Sequence, residues 1–198
     1  MKTRISWIFY CLVSFMLLPS LSAAERFVTN KSNGFTWIQQ GKAYPILVDS
    51  QEDKGVLRAV ANLQTDAGKV TGATPEIIHS PSGNRMLIVG SIENSSWIKQ
   101  LLQSGKINAA DLQGKREKYI LQTVKNPIDG VEEAVVIAGS DKRGTIYGIY
   151  ELARQMGVSP WYFWADVPVE KHDVISIKEG TYTDGEPAVT VSYTHLRA

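Results

Sequence analysis

Along the chain, short apolar runs of strand length alternate with segments whose apolar residues recur at helical spacing, the pattern of an α/β or α+β layer fold. Tyr44 to Val48 reads as a strand. From Asp53 to about Gly68, the residues Val56, Val60, Leu63 and Ala67 fall at i, i+4, i+7 and i+11. That spacing puts them on one helical face, turned toward a sheet, and Gly68 and Gly72 are expected to close the helix. After a turn at Pro81, Ser82 and Gly83, Met86 to Val89 is a continuous apolar run of the kind covered on both faces. A second helix is expected from about Asn94, which can cap it, with Ile98, Leu101 and Leu102 on its apolar side. Tyr119 to Val124 and Ala134 to Ala138 read as two further strands, joined through the turn-forming cluster Asn126, Pro127, Asp129 and Gly130. A third helix carries Ile146, Ile149, Tyr150 and Ala153 on one face and ends at Gly157. No internal repeat or low-complexity linker interrupts Glu25 to Gly185. The expectation is one α/β (α+β) domain over residues 25–187, a mixed sheet packed with helices.

The first residues belong to a different kind of segment. Lys2 and Arg4 form a positive n-region, Trp7 to Leu18 an apolar stretch, and Ser22-Ala23-Ala24 a small-residue cleavage site, so residues 1–24 read as a signal peptide. The apolar stretch is short for a bilayer span, which takes about 20 residues. The chain is therefore expected to be exported, periplasmic or extracellular, with no membrane contact after cleavage. Cys11 is the only cysteine and lies inside the apolar stretch, which leaves the mature chain without disulfide or thiolate-metal chemistry. With 21 basic and 20 acidic residues, the chain has no electrostatic footprint for nucleic acid.

Two neighbouring stretches concentrate the candidate chemistry. Gly139-Ser140-Asp141-Lys142-Arg143-Gly144 leaves a strand and enters the third helix. Ser140 or Asp141 can cap the exposed amides, and Lys142 and Arg143 beside a helix N-terminus could hold an anion. Gly139 and Gly144 have P-loop spacing, but Thr145 stands where the phosphate-neutralising lysine belongs. A plain capped turn, a carboxylate or sugar contact and a nucleotide site remain open readings. The second stretch, Pro160 to Pro168, holds Trp161, Trp164 and Asp166. Aromatic rings beside a carboxylate suit a sugar, and they equally suit a hydrophobic plug against this domain's sheet or a neighbouring domain. Elsewhere His79, His172 and His195 lack metal spacing, and no metal or cofactor is implied. Glu25, Glu52, Asp53, Glu132 and Glu133 read as surface charge, and no Gly-x-Ser-x-Gly elbow occurs. Asn30-Lys31-Ser32 and Asn94-Ser95-Ser96 are glycosylation sequons that matter only on a eukaryotic secretory path.

Residues 139–150, GSDKRGTIYGIY, followed by residues 157–168, GVSPWYFWADVP, resemble the N-terminal domain of glycoside hydrolase family 115, the xylan α-glucuronidases. The segment from Thr183 to Val189 resembles that family's lead-in to its next domain. Phe163 departs from the Trp or Tyr expected there but keeps an aromatic ring. The resemblance is loose before residue 130 and close after it. It implies a multidomain exported enzyme, expected as a homodimer, that removes glucuronic or 4-O-methylglucuronic acid from xylan with inversion. The two catalytic carboxyl groups of an inverting enzyme lie about 6.5–9.5 Å apart, and in the family they belong to a downstream (β/α)8 barrel. No catalytic residue is therefore expected in this chain, and glucuronoxylan or its oligosaccharides would be met through the barrel. Lys142, Arg143, Trp161, Trp164 and Asp166 are expected to face that barrel or border its glucuronate pocket. A barrel needs about 250 residues, and residues 188–198 do not resemble the family's continuation, so a non-native junction near residue 190 is expected. A stand-alone secreted carbohydrate-binding or interaction module is the alternative reading.

Overall fold

The computed structural model describes residues 26–186, and within that span the side chains of Ala109, Phe163 and Trp164 are not described. The signal-peptide and junction expectations, and His195, lie outside the described residues. Three apolar runs predicted as strands form the centre of a six-stranded sheet. These are β4 (Ile46–Val48), β6 (Arg85–Ser91) and β8 (Glu133–Gly139), which run parallel to one another in the order β4, β6, β8. The sheet is completed on one side by β5 (Ile77–Ile78), parallel to β4, and on the other by β7 (Tyr119–Lys125) and β10 (Thr181–Asp184), both antiparallel to their neighbours. Mixed pairing is thus present, as the sequence pattern implies.

Alternation along these strands sorts their side chains into two cores. Ile46, Val48, Leu87, Val89, Val135, Ile137 and Leu121 face one side. There they meet the helices α1 (Lys54–Thr71) and α3 (Lys142–Gln155). Leu47, Met86, Ile88, Ala134, Val136, Ala138 and Ile120 face the other side. They are covered by α2 (Ser96–Gln103) and by Ile107, Leu112, Ile128 and Val131 from the intervening loops. Burial on both faces explains why the central strands read as unbroken apolar runs.

Helix α1 starts at Asp53, whose carboxylate accepts from the Gly55 N–H at 2.8 Å, and ends at Gly72. Gly72 takes the left-handed φ of 78° that caps a helix and that other residues resist. Of the two glycines expected to close the helix, Gly72 does so, whereas Gly68 lies inside it. Helix α2 is capped by Ser95, whose hydroxyl accepts from Ile98 N, and not by Asn94. A four-residue turn of helix, α4 (Tyr162–Ala165), follows α3.

A second sheet has no counterpart in the predicted pattern. Strands β1 (Val28–Thr29), β2 (Phe35–Gln39), β3 (Lys42–Ala43) and β9 (Val174–Ile177) pair antiparallel in the order β1, β9, β2, β3. Phe35, Trp37, Ile38, Ile175 and Ile177 enter the same core as α1 and α3. The small sheet is thereby welded to the large one by shared apolar burial.

Candidate functional site

Because β4, β6 and β8 are parallel, their carboxyl ends meet at one edge of the sheet, the place where α/β folds usually hold ligands. The antiparallel β7 brings its start to the same edge, with Tyr119 opposite Gly139. The turn from Gly139 to Gly144 is built against that strand start. Lys118 donates its N–H to the Ser140 hydroxyl at 3.0 Å, and its carbonyl accepts from Ser140 N at 2.8 Å. Asp141 is the N-cap of α3. One carboxylate oxygen accepts from Gly144 N at 2.8 Å and the other from Glu117 N at 2.8 Å, while the Thr145 hydroxyl donates to the Asp141 carbonyl at 2.9 Å. Gly144 lies so close to the Lys118 carbonyl that a Cβ there would overlap it.

The polar groups of this turn are thus engaged within the fold, which is the geometry of a capped turn. Lys142 approaches Asp53 at 3.6 Å, and Arg143 reaches Glu117 at 2.9 Å and the Tyr147 hydroxyl at 3.0 Å. Both basic side chains remain more than half exposed, so these pairs add little stability. Glu117 itself is buried and has a left-handed φ of 57°, held there by the contacts of its N–H and carboxylate.

The neighbouring strand ends are closed in the same way. Glu52 is 4 % exposed, contrary to its expected place among surface charges. Its carboxylate lies at the end of β6 and accepts from Ser91 N at 2.8 Å, Ser91 Oγ at 2.9 Å, Asn94 Nδ2 at 3.3 Å and Asp53 N at 3.0 Å. Asp49 caps the turn after β4 and accepts from Ser96 N at 2.9 Å and from the Ser96 hydroxyl. These hydrogen bonds outweigh the desolvation of Asp49 and hold its pKa below the ordinary carboxylate value. Glu133 is also only partly exposed, because Arg85 donates to it from Nε at 3.0 Å and from Nη2.

Sequence reasoning missed Glu52, Asp49 and Glu117 as parts of this edge. The partners that bury them lie 24 to 47 residues away along the chain, which no local pattern reports. His79 donates from Nδ1 to the Val48 carbonyl at 2.9 Å, and His172 lies 3.5 Å from Glu170. Among the described residues no group of three His, Cys, Asp or Glu side chains has metal-holding geometry, and no helix is long and apolar enough to cross a membrane.

The structure brings Ser140, Asp141, Lys142 and Arg143 together and holds the aromatic segment apart from them. Helix α1 serves as a ruler. Its N-terminal Asp53 touches Lys142, whereas Lys69 in its last turn stacks over the Tyr162 ring at 4.4 Å. The intervening helix rises about 1.5 Å per residue, which separates the two places by about 24 Å. Trp161 is 64 % exposed, Asp166 is exposed with a left-handed φ of 48°, and the Trp164 side chain is among those not described.

Comparison with known proteins places this arrangement. Residues 36–152 match the family described as glycosyl hydrolase family 67 N-terminus. Among solved structures, a family GH115 4-O-methyl-α-glucuronidase with specificity for decorated arabinogalactans is 30% identical, with a TM-score of 0.62 over 76% of this chain and 18% of that one. A β-hexosaminidase from Streptomyces plicatus is 16% identical, with a TM-score of 0.43 over 77% of this chain and 23% of that one, a likeness too distant to argue from. No curated protein matches. This chain spans less than a fifth of the length of the glucuronidase it resembles. Since the family match covers more than half of the chain, running from β2 to the last turn of α3, the protein belongs to the glycosyl hydrolase family 67 N-terminal domain family.

Proposed function

We propose that this domain is the accessory N-terminal unit of an exported, inverting α-glucuronidase of the family 115 type, which removes glucuronic or 4-O-methylglucuronic acid from xylan. The observation that carries the reading is the 30% identity, over 76% of the chain, to a 4-O-methyl-α-glucuronidase of which that match takes up only 18%. The closed strand ends support an accessory role, since Glu52, Asp49 and Asp141 are engaged as hydrogen-bond acceptors of the fold. A glycosidase needs two carboxyl groups that face a sugar from opposite sides. In this reading those groups belong to the part of the parent that the domain adjoins. Lys142, Arg143, Trp161, Trp164 and Asp166 then contact that part at two separate places, one at each end of α3.

The test is release of glucuronic acid from glucuronoxylan and from a decorated arabinogalactan, by this chain and by a version extended with its natural downstream sequence. Release by the extended protein alone supports the proposal, with the β-anomer appearing first in the proton NMR spectrum if the parent inverts. Release by the 198-residue chain would overturn it. Exposure of Trp161, Tyr147 and Tyr150 favours a second reading, a stand-alone interaction module. That reading requires an extended protein without hydrolytic activity.

A further inference from the structure

The small sheet carries a groove of about 670 Å³ lined by Ser32, Thr36, Gln39, Gln40, Lys42 and Tyr44, with Trp37, Ala43 and Arg85 beneath. Its volume is in the range of small-molecule sites. It lies away from the strand-end edge, on the β2–β3 hairpin. Gln39 pairs with Lys42 across a two-residue loop, and both loop residues have positive φ, 52° at Gln40 and 74° at Gly41. Such a loop favours Asn or Gly at its first position. A glutamine there is held in a conformation that its backbone resists, and its long amide is set beside the groove.

Ser32 and Thr36 share a hydrogen bond at 3.1 Å, and Thr36 also accepts from the Ser176 hydroxyl at 3.0 Å, but the longer polar side chains of the groove are unspent. Among the described residues the side chains of Gln39, Gln40 and Lys42 make no hydrogen bond or ion pair within the protein, although all three line one groove. The base is fixed. The Trp37 indole donates to the Tyr44 carbonyl at 2.9 Å, and the Arg85 guanidinium sits 5.5 Å from the Tyr44 ring centroid and 5.1 Å from that of Phe35, anchored by Glu133. Arg85 and Glu133 cancel in charge, which leaves Lys42 as the uncompensated cation of the groove.

We infer that this groove binds a single uronic-acid unit of a glycan, separately from any catalytic pocket of the parent. The two free amides offer paired donors and acceptors for vicinal hydroxyls, Ser32 and Thr36 add hydroxyls, Tyr44 gives an aromatic surface, and Lys42 takes the carboxylate. A peptide added as a strand is a poorer fit, because β3 offers a two-residue edge. A polyanion such as nucleic acid would meet a chain whose net charge is +1.

The test is an NMR titration of the ¹⁵N-labelled 198-residue chain with a glucuronic-acid-bearing xylo-oligosaccharide, and in parallel with the neutral xylo-oligosaccharide of the same length. The expected result is movement of the Gln39 and Gln40 side-chain amides and the Trp37 indole with the acidic ligand. Lys42→Gln should weaken the acidic ligand about tenfold, the loss of one charged hydrogen bond, and should leave the neutral ligand unchanged. Gln40→Gly relaxes the loop and removes one amide, so it should weaken binding in a chain at least as stable as the parent. Absence of shifts at these groups, shifts confined to the Trp161 segment, or equal affinity for the two ligands would each overturn the inference. Because the readout is binding, it stands or falls independently of glucuronic acid release by the extended protein.

Discussion

Removal of the Glu52 carboxylate tests whether the strand-end edge is held by the groups described. The carboxylate accepts four hydrogen bonds, and the Ser91 N–H and hydroxyl are fully buried. In Glu52→Ala the Ser91 N–H loses its acceptor inside the fold, at about 1–3 kcal/mol for an unsatisfied buried donor. The Ser91 hydroxyl can turn to another acceptor, whereas Asn94 is exposed and recovers a bond from water. Adding about 1 kcal/mol for these weaker losses gives about 3 kcal/mol in all. For a domain of this size that corresponds to a fall of about 6–12 °C in Tm.

Glu52→Gln behaves differently. Its carbonyl oxygen can meet the Ser91 N–H while its amide donates to the Ser91 hydroxyl, so the cost should drop to about 1 kcal/mol. Glu93→Ala, an exposed acidic neighbour on the same loop, is the control and should stay within about 0.5 kcal/mol of the parent. Urea denaturation gives the three values, and hydrogen exchange at the Ser91 amide shows whether the loss is local. A cost below about 1 kcal/mol for Glu52→Ala, or equal costs for Ala and Gln, would refute the reasoning from burial and unmet donors.

Other perturbations probe separate features. Gly144→Ala places a Cβ against the Lys118 carbonyl, a backbone group that cannot swing aside, and should cost about 3 kcal/mol or more by thermal melting. Asp66 is buried, and its desolvation raises its pKa despite Lys69 at 3.5 Å. A pKa raised in the folded state means stability that is present at acid pH and lost as pH rises through the folded value, so Asp66→Asn should be the more stable protein at neutral pH. That gain should vanish below the ordinary value of 3.8, and a gain that persists there would point to packing instead of charge. Trp161→Ala, at a residue 64 % exposed, should leave the melting temperature of this chain unchanged within about 0.5 kcal/mol of stability. A larger loss would mean that the ring is part of this domain's core.

The long helices and central strands were legible because their signals are local. Val56, Val60, Leu63 and Ala67 announce one face of α1, and all four are buried. The cap of α2 was missed by one residue because Asn94 and Ser95 are both small polar groups, and only the position of Ile98 N decides between them. The second sheet was not legible. Its strands are two to five residues long, and β2 shifts register between Thr36 and Ile38, which breaks the alternation that marks a strand. Its closure pairs Val28 with Ile177 across almost the whole domain. Arg85 and Glu133 likewise look like ordinary surface charges until β6 and β8 align them.

The topology itself indicates where a ligand would be expected and why the contacts of this domain belong elsewhere. From β4 the chain passes through α1 to β5 on one side, whereas β6 lies on the other side of β4 and α2 covers the opposite face. The reversal creates a crevice between the ends of β4 and β6, the usual ligand position of such sheets. Glu52 occupies that place with its own carboxylate and takes the Ser91 N–H that an incoming anion would need. An anionic ligand would have to displace a buried charge that already holds four donors, at a cost of several kcal/mol. Groups free to meet another molecule are found instead at the periphery, in the hairpin groove with Gln39, Gln40 and Lys42 and around the exposed Trp161. A glucuronate-bearing glycan that shifted Ser91 and Asn94 before it shifted the hairpin would show this assignment of closed and open edges to be reversed.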